Sequence, residues 1–247
     1  MVNLNELVQY CDERLQASTF DDYCPNGLQV EASISVSRIV SGVTASLAQI
    51  EAAVEDGADL LLVHHGYFWK GESAPLVGVK GRRVRKLMQS GLSLLAYHLP
   101  LDAHPELGNN AGLGQALGIA GQPLDAKSLV WGGELAHAMS GNELAARISG
   151  KLHREPLQLN AERSIRRVAW CTGAAQGYIV QAADAGYDAF ISGEVSEQTL
   201  HLARELDIAY FAAGHHATER FGVMSLGAEL AQHFGLSHRF VDVDNPV

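Results

Sequence analysis

The chain contains 247 residues, 47% of them hydrophobic, and its 28 acidic and 18 basic side chains give a formal charge of −10. This composition excludes a chain that is disordered throughout, and it disfavours a general nucleic-acid binder, which would need a basic face. Three cysteines without CxxC spacing and the lack of a membrane-spanning apolar run predict a reduced, cytoplasmic protein with no membrane partner.

Strands and helices alternate along the chain, a pattern typical of parallel sheets covered by helices. The predicted elements of the first half are, in order, a strand at 38–43, a helix from about Ser46, a strand at 58–63, a helix ending at Gly91 and a strand at 92–97. Those of the second half are a strand at 167–172, a helix from about Gly177, a strand at 187–192, a helix ending near Asp207 and a strand at 208–214. The order is the same in both halves.

The two halves also share their spacing, which favours an internal duplication. Nineteen positions separate Arg38 from Gly57, and nineteen separate Arg167 from Gly186. Both glycines fall where a helix should end. The alternative is that all strand-helix-strand units resemble one another.

We therefore predict an α/β protein of two related domains, 1–125 and 126–247, whose strand ends face each other across a shared site. The turn residues of segment 120–135 mark it as the connection between the domains. When the two halves are aligned by this spacing, His64-His65 align with Gly193-Glu194. A functional site at the junction of the two domains is the expectation that follows.

Six side chains that can bind metal follow the predicted strands; they are His64, His65, His98, Asp102, His215 and Glu219. The carboxyl ends of the strands in an open α/β sheet line one crevice, so we expect these side chains to meet there. Nitrogen and oxygen ligands without cysteine disfavour a structural zinc-thiolate site, and they are too many for one tetrahedral ion. Two ions about 3.5–4 Å apart would use them better. The alternative is a set of unrelated polar loop residues.

The adjacent pair His64 and His65 sets a condition on this site. Successive side chains of a continuing strand point to opposite faces of the sheet. Both imidazoles reach one cluster only if the strand ends there and the chain turns, which Gly66 permits. Two neighbouring ions would relax this requirement, because each histidine could then serve a different one.

The other predicted ligands lie on shorter stretches. Asp102 follows Pro100, which predicts a loop rather than a helix at this point. His215 and Glu219 are four residues apart, and they face the same side if a helix begins at Ala217.

Two further features have competing interpretations. The basic run 80–86 could attract a phosphate, but it is more typical of a solvated helix face. The glycine-rich turn 173–177 could cradle an anion through its amides, but a simple strand-to-helix turn also explains it. The remaining histidines, expected at the surface or behind the ligands, are His104, His137, His153, His201, His216, His233 and His238.

Five motifs span nearly the whole chain; they are Asn26–Val30, His64–Gly66, His98 with Asp102, Ser192–Glu194 and Gly214–Glu219. Together they resemble those of the type 2 GTP cyclohydrolase I homologues, also called NGG-interacting-factor-three-like proteins. The resemblance implies a two-domain α/β fold, a toroidal homohexamer and a dinuclear metal centre in each subunit. The ligands that it implies are His64, His65, Asp102, His215 and Glu219. Glu219 would be able to bridge the ions, and His98 would lie close by.

The resemblance and the ligand set lead to two functional hypotheses. The first is a hydrolase dependent on two divalent ions, such as zinc, iron, manganese or nickel, that acts on a nucleotide or a related small heterocycle. Its candidate catalytic residues are His98 and Glu194, because they could move protons or orient water. The second is a non-catalytic metal-binding, scaffold or regulatory protein. An open coordination position would favour the enzyme, and a closed one would favour the alternative.

Overall fold

A computed structural model describes residues 1–126 and 128–247. Its first helices and strands are β1 (Val2–Asn3), α1 (Leu4–Arg14), β2 (Gly27–Val30), β3 (Ser35–Val36), β4 (Arg38–Thr44), α2 (Leu47–Glu55), β5 (Leu60–His65), α3 (Gly78–Gln89), β6 (Ser93–Ala96), α4 (Leu99–Ala103), α5 (Asn109–Leu117) and β7 (Ala120–Pro123). The following ones are β8 (Trp131–Ser140), α6 (Gly141–Leu152), β9 (Leu157–Leu159), β10 (Ser164–Cys171), α7 (Ile179–Asp184), β11 (Ala189–Ser192), α8 (Glu197–Glu205), β12 (Ala209–Ala212), α9 (His215–Thr218), α10 (Arg220–Phe234) and β13 (Ser237–Phe240). None of the helices in the described residues has both the length and the apolar character to cross a membrane.

The described residues form two compact units, which are Met1–Leu101 with Gly222–Asp244, and Asp102–Phe221 with Asn245–Val247. They differ from the predicted division into 1–125 and 126–247 in two places. Helix α5 packs Leu113 and Leu117 into the core that contains Trp170, so it belongs to the second unit. Strand β13 pairs in parallel with β4, so it belongs to the first unit. Local sequence periodicity does not report such pairing between distant segments.

The first unit is built on a five-stranded sheet with the strand order β13-β4-β5-β6-β2. Four of these strands are parallel, and β2 pairs antiparallel with β6 at the edge. The apolar run Leu60–Val63 of β5 is completely buried, as expected of a central parallel strand covered on both faces. Helix α2 begins where the sequence predicts, because the Ser46 side chain caps it by accepting a hydrogen bond from the Gln49 amide at 3.1 Å.

The second unit is built on a six-stranded sheet with the strand order β7-β8-β10-β11-β12-β9. The central strands β10, β11 and β12 are parallel, whereas β7, β8 and β9 pair antiparallel with their neighbours. Buried side chains form a separate apolar cluster on this sheet, including Leu144, Ile148, Val168, Trp170, Ile191 and Phe211. The mixed α/β fold with two sheets therefore agrees with the sequence prediction.

The predicted connection at 120–135 instead contributes β7 and the start of β8, which pair with each other in the second sheet. Its glycines serve close packing rather than turns. A Cβ atom on Gly121 would lie closer than 3.0 Å to the Trp170 ring, and one on Gly132 would lie closer than 3.0 Å to the Tyr187 hydroxyl. The prediction was wrong because a glycine gives the same sequence signal in a tightly packed strand as in a loop.

The two sheets share a common plan, which supports the predicted duplication. In each unit, three successive parallel strands are adjacent, and a short strand that precedes them in sequence pairs antiparallel with the third. These strands are β4, β5, β6 and β2 in the first unit and β10, β11, β12 and β9 in the second. The duplication therefore includes an edge strand that the sequence pattern alone does not reveal.

Equivalent hydrogen bonds also close the two strand-helix-strand units. The Asp59 carboxylate accepts a hydrogen bond from the Arg38 amide at 3.0 Å, and the Asp188 carboxylate accepts one from the Arg167 amide at 2.7 Å. The guanidinium group of each arginine also donates to the carbonyl group just after the intervening helix. The acceptor is Asp56 at 2.9 Å in the first unit and Ala185 at 3.2 Å in the second. The aligned positions of the two halves therefore make equivalent hydrogen bonds.

Candidate metal centre

Two adjacent histidines end the central strand of the first sheet. His64 is completely buried, and its Nδ1 donates a hydrogen bond to the Tyr97 carbonyl group at 2.9 Å. His65 lies in register with Thr44 of β4, and His65 Nδ1 is 3.1 Å from Thr44 Oγ1. Each imidazole is thus held through Nδ1, which makes Nε2 the nitrogen suited to metal ligation.

His98 lies just beyond β6 and is held by a carboxylate. Its Nδ1 is 2.9 Å from Asp22 Oδ1, and the Asp22 side chain is only 3% exposed. Asp22 also accepts hydrogen bonds from the Asn26 side chain and the Leu99 amide, each at 3.0 Å. Burial raises the pKa of Asp22, but these hydrogen bonds and the charge of His98 outweigh it and hold the pKa well below its ordinary value. Asp22 therefore stays ionised and orients the His98 ring.

The three imidazoles of the first unit form one cluster, which we call the histidine cluster: His64, His65 and His98. One ligand nitrogen from each lies within 4.8 Å of the others. Strand β5 ends at His65, as this cluster requires, and the chain then turns. Gly66 is needed there for a steric reason, because a Cβ atom would lie closer than 3.0 Å to Gln29 Oε1.

In the second unit, His215 lies between two carboxylates. It is the first residue of α9, and its Nε2 is 3.0 Å from Glu219 Oε2. Its Nδ1 is 2.8 Å from Glu194 Oε1. Burial lowers the pKa of His215, but the hydrogen bonds and charges of Glu219 and Glu194 outweigh it and raise the pKa to about 9. The helix begins at His215 rather than at Ala217, and it still places His215 and Glu219 on one side.

Asp102 lies on the short helix α4, so the loop predicted from Pro100 is wrong. Proline is accommodated because Pro100 is in the first helical turn, where a backbone N–H is not required. Asp102 Oδ1 accepts hydrogen bonds from the Asn109 side chain at 2.8 Å and the Thr172 hydroxyl at 3.3 Å. One carboxylate oxygen of Asp102 lies within 4.8 Å of one from Glu219. Two buried carboxylates this close repel each other when both are ionised, and a cation beside them relieves that repulsion.

A glycine makes room for the Glu219 carboxylate. Gly173 follows β10 with a φ of +70°, and its amide donates a hydrogen bond to Thr218 Oγ1 at 3.1 Å. A Cβ atom at this position would lie closer than 3.0 Å to Glu219 Oε1 and 3.4 Å from His215 Nε2. The glycine-rich turn therefore has a steric role beside the carboxylate as well as joining a strand to a helix.

The seven predicted site residues fall into two local sets. The first unit holds His64, His65 and His98, and the second unit holds Asp102, Glu194, His215 and Glu219. Sequence reasoning missed the side chains that hold them in place, which are Asp22, Thr44, Asn109 and Thr172. Among these, Asp22 carried a weak signal, because it lies four residues before Asn26, where the first motif begins.

Comparison with known proteins places this chain in a family. A family model described as Duf34/NIF3 (NGG1p interacting factor 3) matches residues 2–246. The chain belongs to this family. The resemblance inferred from the motifs is thereby confirmed, since the NGG-interacting-factor-three-like proteins carry the same description.

Similar Duf34/NIF3 relatives match along the whole chain. A protein of Allochromatium vinosum named GTP cyclohydrolase 1 type 2 homolog is 57% identical, covering 100% of this chain and 98% of its own length. A Pseudomonas aeruginosa protein of the same name is 54% identical, covering 99% of each. A solved structure described as protein ybgI, of unknown function, has a TM-score of 0.96 and 48% identity and covers 100% of both chains. The two-sheet fold of this chain is therefore shared with that solved structure.

Proposed function

We propose that this protein is a hydrolase that depends on two divalent metal ions and acts on a nucleotide or a related heterocycle. The observation that carries this proposal is the pair of buried carboxylates, Asp102 and Glu219, with His215 Nε2 at 3.0 Å from Glu219. The names of the relatives support the substrate class, since they describe homologues of a GTP cyclohydrolase.

The residues present fit divalent ions on the chemistry of their donor atoms. The proposed ligands are His64, His65, Asp102, His215 and Glu219. Imidazole and carboxylate donors suit zinc, iron, manganese and nickel. The Nδ1 atoms of all three histidines are already engaged by protein oxygens, the arrangement that usually orients metal-binding imidazoles. A bound cation would also offset the repulsion between the two carboxylates.

The chain's own groups suggest how water could be activated. Ions bound to these ligands would lower the pKa of a coordinated water molecule towards about 7. Asp22 holds His98 through Nδ1, so His98 Nε2 can accept and return a proton while Asp22 stabilises the imidazolium. Glu194 fixes the orientation of His215 through Nδ1. In this scheme His98 handles the proton and Glu194 acts by positioning a ligand.

The Glu194→Gln variant should lose more activity than metal. The amide keeps the size of the side chain but removes the charge 2.8 Å from His215 Nδ1. Replacing a residue that hydrogen-bonds to a metal ligand typically lowers metal affinity or activity by about 10- to 100-fold. We expect metal content near that of the unaltered protein when metal is in excess, with turnover reduced at least about tenfold. Elemental analysis and initial rates measure the two quantities, and equal losses in both would contradict the positioning role.

Metal binding should weaken steadily as the pH falls below about 9, because a proton must leave His215 before it can bind an ion. The unfolded imidazole has a pKa of about 6.5, and the folded value is raised. In metal-free protein, the protonated His215 therefore stabilises the fold fully below about 6.5, and this contribution is lost as the pH rises through about 9. Metal binding has the opposite pH dependence, because it strengthens as the pH rises and His215 loses its proton.

This competition can be measured by titrating bound metal and melting temperature from pH 9 to pH 6 in a chelator buffer that holds free metal low. One displaced proton corresponds to an affinity change of about tenfold per pH unit. The melting temperature should follow metal occupancy, since a ligand that binds only the folded state stabilises it by mass action. Affinity that stays constant over the whole range from pH 9 to pH 6 would count against ligation by His215, because even an imidazole with the ordinary pKa of about 6.5 binds protons in that range.

The decisive test of the proposed function combines metal analysis with a hydrolysis screen. Gently purified protein is analysed for zinc, iron, manganese and nickel, and each metal is then tested with a panel of nucleotides, with chelated protein as the control. Two ions per chain and metal-dependent turnover of at least one nucleotide are expected. Full metal occupancy without turnover would instead favour the non-catalytic metal-binding or scaffold role.

We also propose that the protein assembles as a toroidal homohexamer, as the family resemblance implies. Support comes from membership of the family, whose model matches residues 2–246 of this chain, and from a relative that matches over 98% of its own length. Sedimentation equilibrium at several protein concentrations tests this assembly. A species with the mass of a monomer or dimer at all concentrations would reject it.

A further inference from the structure

We propose that Tyr23 and Trp69 form an aromatic wall that stacks on a planar heterocycle beside the histidine cluster. The inference rests on the proposed function, because it names the part of the substrate that this site would recognise. It requires no metal-ligand geometry, since all the contacts that carry it lie within the first unit.

Both aromatic rings approach His98 edge to face. The Trp69 and His98 ring centroids are 5.1 Å apart with an interplanar angle of 83°, and those of Tyr23 and His98 are 5.2 Å apart with an angle of 68°. The Tyr23 and Trp69 rings are 6.0 Å apart and tilted by 34°. Trp69 also lies 6.0 Å from His65. A molecule held against these rings would therefore lie next to two of the three imidazoles.

Hydrogen bonds hold this wall in place without a ligand. The Trp69 Nε1 donates to the Gly66 carbonyl group at 3.2 Å, and the Trp69 amide donates to Glu72 Oε2 at 3.2 Å. The loop is tied to Tyr23 because the Lys70 amide donates to the Tyr23 carbonyl group at 2.7 Å. A surface ordered in advance loses less conformational entropy on binding, which favours affinity.

The exposure of the two rings differs in a way that suits ligand binding. Tyr23 is 54% exposed, although it contacts the 7% exposed His98, whereas Trp69 is half-buried. Apolar walls with a few fixed polar groups are typical of small-molecule sites. Stacking on aromatic side chains is available to any planar base through its π-face. The chemistry of this wall thus selects a flat heterocycle rather than a sugar phosphate or a simple amide.

Calorimetric binding of GTP, guanosine and ribose 5-phosphate to the intact, metal-containing protein tests this wall. GTP and guanosine should bind more tightly than ribose 5-phosphate, which lacks the base. Tyr23→Leu should weaken GTP binding roughly five- to hundredfold, the range typical of one stacked base. Tyr23→Phe keeps the ring and should retain affinity. Trp69→Leu removes the other ring of the wall and should also weaken GTP binding. Metal content is measured in each variant to confirm that the histidine cluster is intact.

Phe68→Leu is the matched control, because Phe68 is a 37% exposed ring in the same loop that contacts Tyr67 and Lys80. It should leave GTP binding unchanged. Equal affinity for GTP and ribose 5-phosphate, or unchanged GTP affinity in Tyr23→Leu, would overturn the inference. Because binding is measured without turnover, a protein that stacks the base but hydrolyses no nucleotide would contradict the proposed function and leave the aromatic wall standing.

Discussion

Replacing Glu219 by Gln should remove most of the bound metal. Glu219 is 3% exposed and lies 3.0 Å from His215 Nε2, and a carboxylate oxygen of it lies within 4.8 Å of one from Asp102. If it bridges two ions, the neutral amide weakens both, so the loss should exceed the 10- to 100-fold typical of residues behind the ligands. Elemental analysis of protein dialysed against a weak chelator measures the change.

Glu197→Gln is the matched control for this experiment. Glu197 also pairs with a histidine four residues away, since His201 Nε2 lies 2.9 Å from Glu197 Oε1, but both side chains are exposed. An exposed pair of this kind contributes little, and the variant should keep its full metal content. Metal stoichiometry that is the same in Glu219→Gln and Glu197→Gln would remove the bridging role of Glu219.

Replacing Gly173 by Ala should displace Glu219 and release metal even though no proposed ligand is altered. The added Cβ atom would lie closer than 3.0 Å to Glu219 Oε1, and the φ of +70° disfavours any side chain. The left-handed conformation costs about 1–2 kcal/mol of folding stability for a residue that has a Cβ atom. Metal content and melting temperature should therefore both fall.

Gly57→Ala separates these two effects. Gly57 has the same φ of +70°, and a Cβ atom there would meet nothing within 4 Å. It should lose a similar amount of stability, visible as a lower midpoint of urea unfolding, while its metal content is retained. If both alanine variants retain metal equally, the Glu219 carboxylate does not depend on the space beside Gly173.

The central strands of both sheets could be predicted because buried parallel strands read as continuous apolar runs. The run at 58–63 corresponds to β5, and the strand at 187–192 contains β11. The edge strands could not be predicted in the same way. Strand β13 alternates between exposed and partly buried residues over only four positions. Its partner β4 is distant in sequence, so no local pattern identifies the pair.

The proximity of the residues in the histidine cluster was predictable as far as it depends on strand ends. His64 and His65 end the buried strand β5, His98 follows β6, and the three do lie together in the first unit. The groups that orient them were not predictable, because they come from distant segments. The contact between Asp22 and His98 spans 76 residues. Such contacts depend on tertiary packing, which single-sequence periodicity does not encode.

The placement of β13 has a consequence for how the protein is made. The first sheet combines strands that are far apart in the sequence, and the Ser237 hydroxyl donates to the Ser37 carbonyl group 200 residues earlier. During synthesis, one edge of β4 stays uncovered by β13 until the chain has been made past Phe240. Strands β7 to β12 follow one another in the chain and can complete the second sheet sooner. We therefore expect folding on the ribosome to finish with the unit that was synthesised first.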